Sequence, residues 1–204
     1  MISDQKIEAA VLIEAYVKKI LASRVYDLAI ETPTTFAPKL SKRLGIRLSL
    51  KREDMQEIFS FKVRGAYNKL SYLSSQEKKQ GVVAASAGNH AQGVSIAAIE
   101  LRIAATIVMS HNMPVIKVTV VKDTGAKVIV EEDNYDAAAQ YAKKLSESLG
   151  LTLIPPYDDP DIIAGQGTVG LEIINQYGED LECIFVPVGG GGLIAGIAAY
   201  TKYV

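Results

Sequence analysis

Apolar positions along the chain follow two rhythms. Ile13, Tyr16, Val17 and Ile20 recur at i, i+3, i+4 and i+7, one face of an amphipathic helix, with Ser3 or Asp4 as candidate N-cap. Thr32-Pro33-Thr34 marks a turn-rich stretch, and Ile46 to Lys51 alternates apolar and basic residues as a strand does. Beyond it, short apolar runs alternate with helical patterns. The predicted strands are Val82 to Ala85, Ala104 to Met109, Lys127 to Val130, Leu151 to Ile154 and Cys183 to Val188. The predicted helices are Asn89 to Leu101, Val115 to Thr124, Tyr135 to Leu149, Ile162 to Tyr177, and Leu193 to the end. Apolar strands separated by helices predict a parallel sheet and an α/β architecture. Pro155-Pro156-Tyr157-Asp158-Asp159-Pro160 is the best candidate for a linker. Leu193 to Val204 reads as a helix still under way with no glycine stop, and a parallel sheet wants cover on both faces. The expectation is therefore a fragment of a longer protein.

Composition narrows the partners. At 204 residues the chain suffices for one good-sized domain or two small ones, and 49% apolar with 22% charged residues is an ordinary globular mixture. A net charge of −1 gives no call for nucleic acid or an anionic membrane. The single cysteine, Cys183, excludes an internal disulfide, fits a reducing cytoplasm, and inside an apolar strand reads as a small core residue. Met1 to Ala10 is polar and charged, unlike a secretory signal, and glycine or charge interrupts every apolar stretch short of a membrane span.

Four segments could carry chemistry. Gly189-Gly190-Gly191-Gly192 follows a predicted strand and opens a helix; converging backbone N–H groups and a helix start make a phosphate cradle there, though a tight turn would also use glycine. Gly190, Gly192 and Ala195 match the dinucleotide pattern G-x-G-x-x-A only weakly, and no G-x-x-x-x-G-K-[ST] occurs. Ser86-Ala87-Gly88-Asn89-His90 stands at a second strand-to-helix junction, where free amides can hold a carboxylate or Asn or Ser can simply cap the helix. In Ser60-Phe61-Lys62-Val63-Arg64-Gly65-Ala66, burial would lower the pKa of Lys62 and suit it to covalent chemistry, whereas a lone lysine is ordinarily solvated. Gly165-Gln166-Gly167-Thr168 reads as the opening of another helix, for close packing with Thr168 or a neighbour as cap, or for a site. His111 reads as a packed or surface histidine.

Taken in order, these four segments resemble the fold-type II pyridoxal-phosphate enzymes, and among them the serine/threonine dehydratase group, from about Tyr26 to the last residue. Tyr16 to Leu21, Val25-Tyr26-Asp27, Lys51-Arg52-Glu53-Asp54, Pro155 to Asp158 and Phe185 to Val188 are similar to phrases of the same group. The resemblance implies a two-lobed, tryptophan-synthase-β-like α/β fold with parallel sheets. Residues 81–155 would form the small lobe; residues 1–80 and 156–204 would form part of a larger, truncated one. It implies pyridoxal 5'-phosphate as cofactor. Lys62 would bond covalently to it and remove the substrate Cα proton, Phe61 would lie against its ring, and Asn89 would bond its phenolic oxygen. Gly189, Gly190, Gly191, Gly192 and Leu193 would hold its phosphate. Ser86, Ala87, Gly88, Asn89 and His90 would bind the substrate carboxylate. The implied substrate is L-threonine, converted to 2-oxobutanoate and ammonia in isoleucine biosynthesis; serine dehydratases, serine racemases and catabolic threonine dehydratases share the motifs. A homo-oligomer, with no nucleic acid, membrane or metal as partner, completes the expectation. The alternatives are a nucleotide-binding or regulatory module, and a truncated, non-catalytic cofactor-binding piece.

Overall fold

The chain, described from residue 4 to residue 204 in this computed structural model, opens with helix α1 (Asp4–Leu21). Val17 and Ile20 are its buried stripe, flanked by partly buried Ile13 and Tyr16. Of the two N-cap candidates, Ser3 lies outside the described residues and Asp4 is already helical. Strand β1 (Thr34–Phe36) is joined through α2 (Pro38–Leu44) to β2 (Ser49–Lys51), with which it pairs antiparallel. Gly45, at φ 69°, ends α2, and residues 46–48 bring the chain back. Only the last three residues of the stretch from Ile46 therefore find a partner strand.

Helices α3 (Lys62–Ser71) and α4 (Ser75–Gln80) follow, the second opened by a reciprocal Ser74–Glu77 capping box. Strand and helix then alternate: β3 (Val82–Ala85), α5 (Asn89–Glu100), β4 (Ala105–Ser110), α6 (Val115–Asp123), β5 (Lys127–Glu132), α7 (Tyr135–Leu149), β6 (Thr152–Leu153). The four strands form one parallel sheet of order β5-β4-β3-β6. Val82, Ala84, Ile107 and Met109 pack with Ala66, Leu70, Ala91 and Val94 of α3 and α5, while Val83, Ala85 and Val108 pack with Ala138 and Ala142 of α7. Both faces of β3 and β4 are thus covered, which is why these strands read as continuous apolar runs. The connection through α5 lies on one face and that through α7 on the other, so the chain reverses direction between β3 and β6. A crevice opens at the carboxyl ends of the strands at such a reversal.

Helices α8 (Pro160–Tyr177) and α9 (Gly192–Tyr203) pack on one another and on α1, with Ile20, Ala164, Ala199 and Tyr200 in a shared cluster. Two expectations are corrected here. Gly165-Gln166-Gly167-Thr168 does not open a helix. Asp159 Oδ1 accepts from the N–H groups of Asp161 and Ile162 (2.9 and 3.2 Å) and starts α8 at Pro160, ahead of these glycines. The glycines serve helix-to-helix approach instead: a Cβ on Gly165 would stand 2.7 Å from the Cα of Gly65.

Residues 183–188, read as a strand, form no regular element and pair with no strand among the described residues. Ile184 and Val186 pack on Val169, Ile173 and Ile197, while Phe185 on the other side is 83% exposed. The run keeps its period of two but has one covered face and no ladder partner. Cys183, expected in the core, falls on the bare side and is exposed. His111 is exposed as well. Among the described residues no helix is long and apolar enough to cross a membrane.

Candidate active site

Three chain segments meet where the sheet reverses. The first is the start of α3. The buried Arg64 guanidinium anchors it, donating to Glu53 (Nε 2.8 Å, Nη2 2.7 Å) and to Glu172 (Nη1 2.5 Å, Nη2 3.0 Å). With that turn fixed, the Lys62 amine reaches across and donates to the carbonyl of Pro156 at 2.5 Å, and lies 5.6 Å from the centre of the Phe61 ring. Burial holds this amine below the ordinary lysine value.

The second segment is the junction of β3 and α5. Gly88 occupies the N-cap position and offers no side chain, and Ser86 Oγ accepts from the Gly88 N–H at 3.2 Å. Neither Ser86 nor Asn89 caps α5, so the first-turn N–H groups have no side-chain acceptor and suit an anion. His90 is buried, with Nε2 3.0 Å from the Ile154 carbonyl, and burial pushes its pKa down to about 4. The imidazole is therefore neutral near pH 7, with its Nε2–H donating to the Ile154 carbonyl just past β6.

The third segment is the tetraglycine loop. Gly191, at φ +90°, is the N-cap of α9 and again supplies no side-chain acceptor. A Cβ on Gly190 would stand 2.1 Å from the Tyr157 ring, and one on Gly192 would stand 2.7 Å from the Tyr157 carbonyl oxygen. At Gly190 and Gly192 Tyr157 leaves no space for a side chain, and at Gly191 the positive φ favours glycine.

Two adjoining cavities result. The larger, about 520 Å³, is lined by Lys62, Ser86, Gly88, Asn89 and His90 together with Lys117, Tyr135, Pro156 and Tyr157. The smaller, about 120 Å³, is lined by Phe61, Lys62, Gln166, Pro156, Tyr157 and Gly189 to Leu193. Lys62 is shared by both. The structure thus brings together every residue that the resemblance assigned to the site except Ala87, which packs into the core beneath; of Gly165 to Thr168 only Gln166 lines a cavity. Asn89 stands on the Ser86–His90 side rather than beside the glycine run. The sequence reading missed Pro156 and Tyr157, which it took for a linker, and also Lys117, Tyr135 and the role of Gln166. The dense Pro-Pro-Tyr-Asp-Asp-Pro run was the available signal: a segment that stiff is built to hold a position.

The family model described as pyridoxal-phosphate dependent enzyme matches residues 25–203. The chain is 57% identical over 189 residues to threonine dehydratase 1 biosynthetic, chloroplastic, of Solanum lycopersicum, covering 93% of this chain and 31% of that protein. It thus spans about a third of the length of the curated relatives it matches. Its fold superposes on the processed form of threonine deaminase isoform 2 from Solanum lycopersicum with a TM-score of 0.91 and 51% identity, over 94% of this chain and 53% of that one. Maize serine racemase gives a TM-score of 0.87 at 35% identity, over 93% of this chain and 57% of that one.

Proposed function

Since the chain belongs to the pyridoxal-phosphate dependent enzymes, we propose that it carries the catalytic portion of a threonine dehydratase, converting L-threonine to 2-oxobutanoate and ammonia on the way to isoleucine. One observation carries this reading: the partly buried amine of Lys62 forms the shared wall between an anion-ready helix start and a bare glycine cradle. The names of the relatives at 50% identity and above support threonine as substrate.

The residues present fit the cofactor. Gly189 to Leu193 would take its phosphate on backbone amides that no side chain at Gly190 or Gly192 obstructs. Lys62 would hold its aldehyde carbon, Phe61 its ring and Asn89 its phenolic oxygen. When bound, the cofactor supplies a conjugated sink for the charge left at the substrate Cα. The protein does the rest. The start of α5 would fix the substrate carboxylate, which sets the Cα–H bond toward Lys62. The Lys62 amine, less basic than a solvated lysine, would accept that proton near neutral pH. Tyr157 lines both cavities and stands against the glycine loop. We assign residues 81–155, which hold the parallel sheet, to the small lobe, and residues 1–80 and 156–204 to the larger one. A cytoplasmic location and a homo-oligomer, specifically a homotetramer, complete the reading.

The test is Lys62→Ala in the protein at its native length. Threonine turnover should fall on the order of 10³-fold or more, and borohydride should fix no pyridoxal phosphate to the protein. A variant that keeps the borohydride-stable label excludes this role for Lys62. The likeness to maize serine racemase supports a second reading, serine dehydration or racemisation. A specificity ratio favouring L-serine or D-serine over L-threonine would select it.

A further inference from the structure

Gln166 carries a buried amide for which the fold makes room without bonding it. The residue is 2% exposed, and its Oε1 has no hydrogen-bond partner among the described residues. Leaving a buried carbonyl unpaired is costly, and native folds rarely do so without a use for the group. Opposite it on α3 stands Gly65. A Cβ there would lie 2.4 Å from Gln166 Nε2 and 2.9 Å from its Cδ. Three residues past Lys62, the chain thus gives up a side chain to admit an amide that makes no bond to protein.

Gln166 lines the smaller cavity beside Lys62 and the glycine run. That cavity is about 120 Å³, and Gln166, Lys62 and the glycine run share its wall. The side-chain donors that line it are the Lys62 amine and the Tyr157 hydroxyl. The titratable groups lining the two cavities around Lys62 are His90 of α5, Lys117 of α6, Tyr135 of α7 and Tyr157 before α8; no carboxylate lines either cavity. A neutral amide oxygen is therefore the side-chain acceptor best suited to an ammonium here.

We propose that Gln166 is a positioning residue for Lys62: in the cofactor-free protein the Lys62 amine exchanges between the Pro156 carbonyl and Gln166 Oε1, and the bond to Oε1 keeps it beside the glycine run. The proposal rests on the assignment of Lys62 as the cofactor-bonding lysine. The Gln166 oxygen favours the charged amine, so removing it lowers the pH at which Lys62 becomes nucleophilic, and a carboxylate in its place raises that pH.

The experiment reads covalent attachment, not turnover. Native-length protein freed of cofactor is mixed with pyridoxal phosphate across a pH series, quenched early with borohydride, and labelled Lys62 is counted by peptide mass. The pH midpoint of attachment should fall by about one unit in Gln166→Met and rise by about one unit in Gln166→Glu. Thermal unfolding of each variant identifies the folded ones, and the Glu variant alone decides if the Met variant does not fold. Midpoints that coincide with wild type overturn the proposal while leaving Lys62 in its role. Wild-type protein that takes no label at Lys62 overturns both.

Discussion

Arg64 is enclosed by acceptors. Besides its pairs with Glu53 and Glu172, it donates to Thr168 Oγ1 (3.1 Å) and the Ile30 carbonyl (3.2 Å). Glu172 in turn accepts from Lys51 at 2.5 Å and from the Tyr26 hydroxyl at 2.8 Å. Two cations and two anions balance in this buried knot. Burial alone would raise the Glu172 pKa, but the bonds from Arg64, Lys51 and Tyr26 outweigh it and hold the carboxyl below its usual range. Replacing Arg64 with Met keeps much of the volume and leaves two carboxylates facing one another. The expected loss is about 3–5 kcal/mol of stability at neutral pH, read from denaturant unfolding; a loss under about 1 kcal/mol would show that the pair is worth no more than a surface one. None of this was visible in the sequence. Lys51-Arg52-Glu53-Asp54 looks like one charged run, yet Lys51 and Glu53 turn into the knot while Arg52 and Asp54 pair on the surface. The partner that settles the matter, Glu172, lies 108 residues from Arg64.

Elements were legible in proportion to how local their causes are. Val82 to Ala85 and Tyr135 to Leu149 match the sequence reading at both ends: four consecutive apolar residues fill a buried strand, and Asn134 and Gly150 cap the helix. Residues 183–188 failed because a ladder needs a neighbour, and no local pattern reports one. The Pro155–Pro160 segment failed for the opposite reason. Its prolines mark a connection, while its work comes from what it crosses: Lys62, the glycine loop, and Lys69, which Asp159 pairs at 2.7 Å. Asp159 therefore has two tasks, capping α8 and tying this strap to α3. Asp159→Ala should cost about 1 kcal/mol for the cap, with a further small loss for the partly buried ion pair. Because the strap carries Pro156 and Tyr157, pyridoxal-phosphate binding should weaken as well. Equilibrium unfolding and a cofactor titration, run side by side, check both parts. A stability loss with unchanged cofactor affinity would confine Asp159 to capping.

For the whole molecule the informative variable is pH, because a buried neutral histidine joins the two sides of the crevice. His90 sits in the first turn of α5 and donates to Ile154 just past β6, so its protonation state bears on the joint where the sheet reverses. Its ordinary value of 6.5 is lowered to about 4 in the fold, with burial as the main cause and the nearby Lys62 charge acting the same way. The sign follows from proton uptake. Between pH 6.5 and about 4 the unfolded chain binds a proton that the folded chain refuses, so this contribution is whole above pH 6.5 and drains as pH falls. At about 1.4 kcal/mol per pH unit, the loss reaches roughly 3 kcal/mol near pH 4. Glu172 is lowered from its ordinary 4.5, so its own contribution starts to drain only as pH falls through that value, and the interval from 6.5 down to about 5 reads His90 free of it. His90→Gln keeps a donor and cannot titrate. The variant should be less stable than wild type at pH 7, yet lose less stability between pH 6.5 and 4, so the two curves of unfolding free energy against pH converge. Curves that stay parallel through that interval would mean His90 is not held neutral in the folded chain, and that the crevice does not close on an uncharged imidazole.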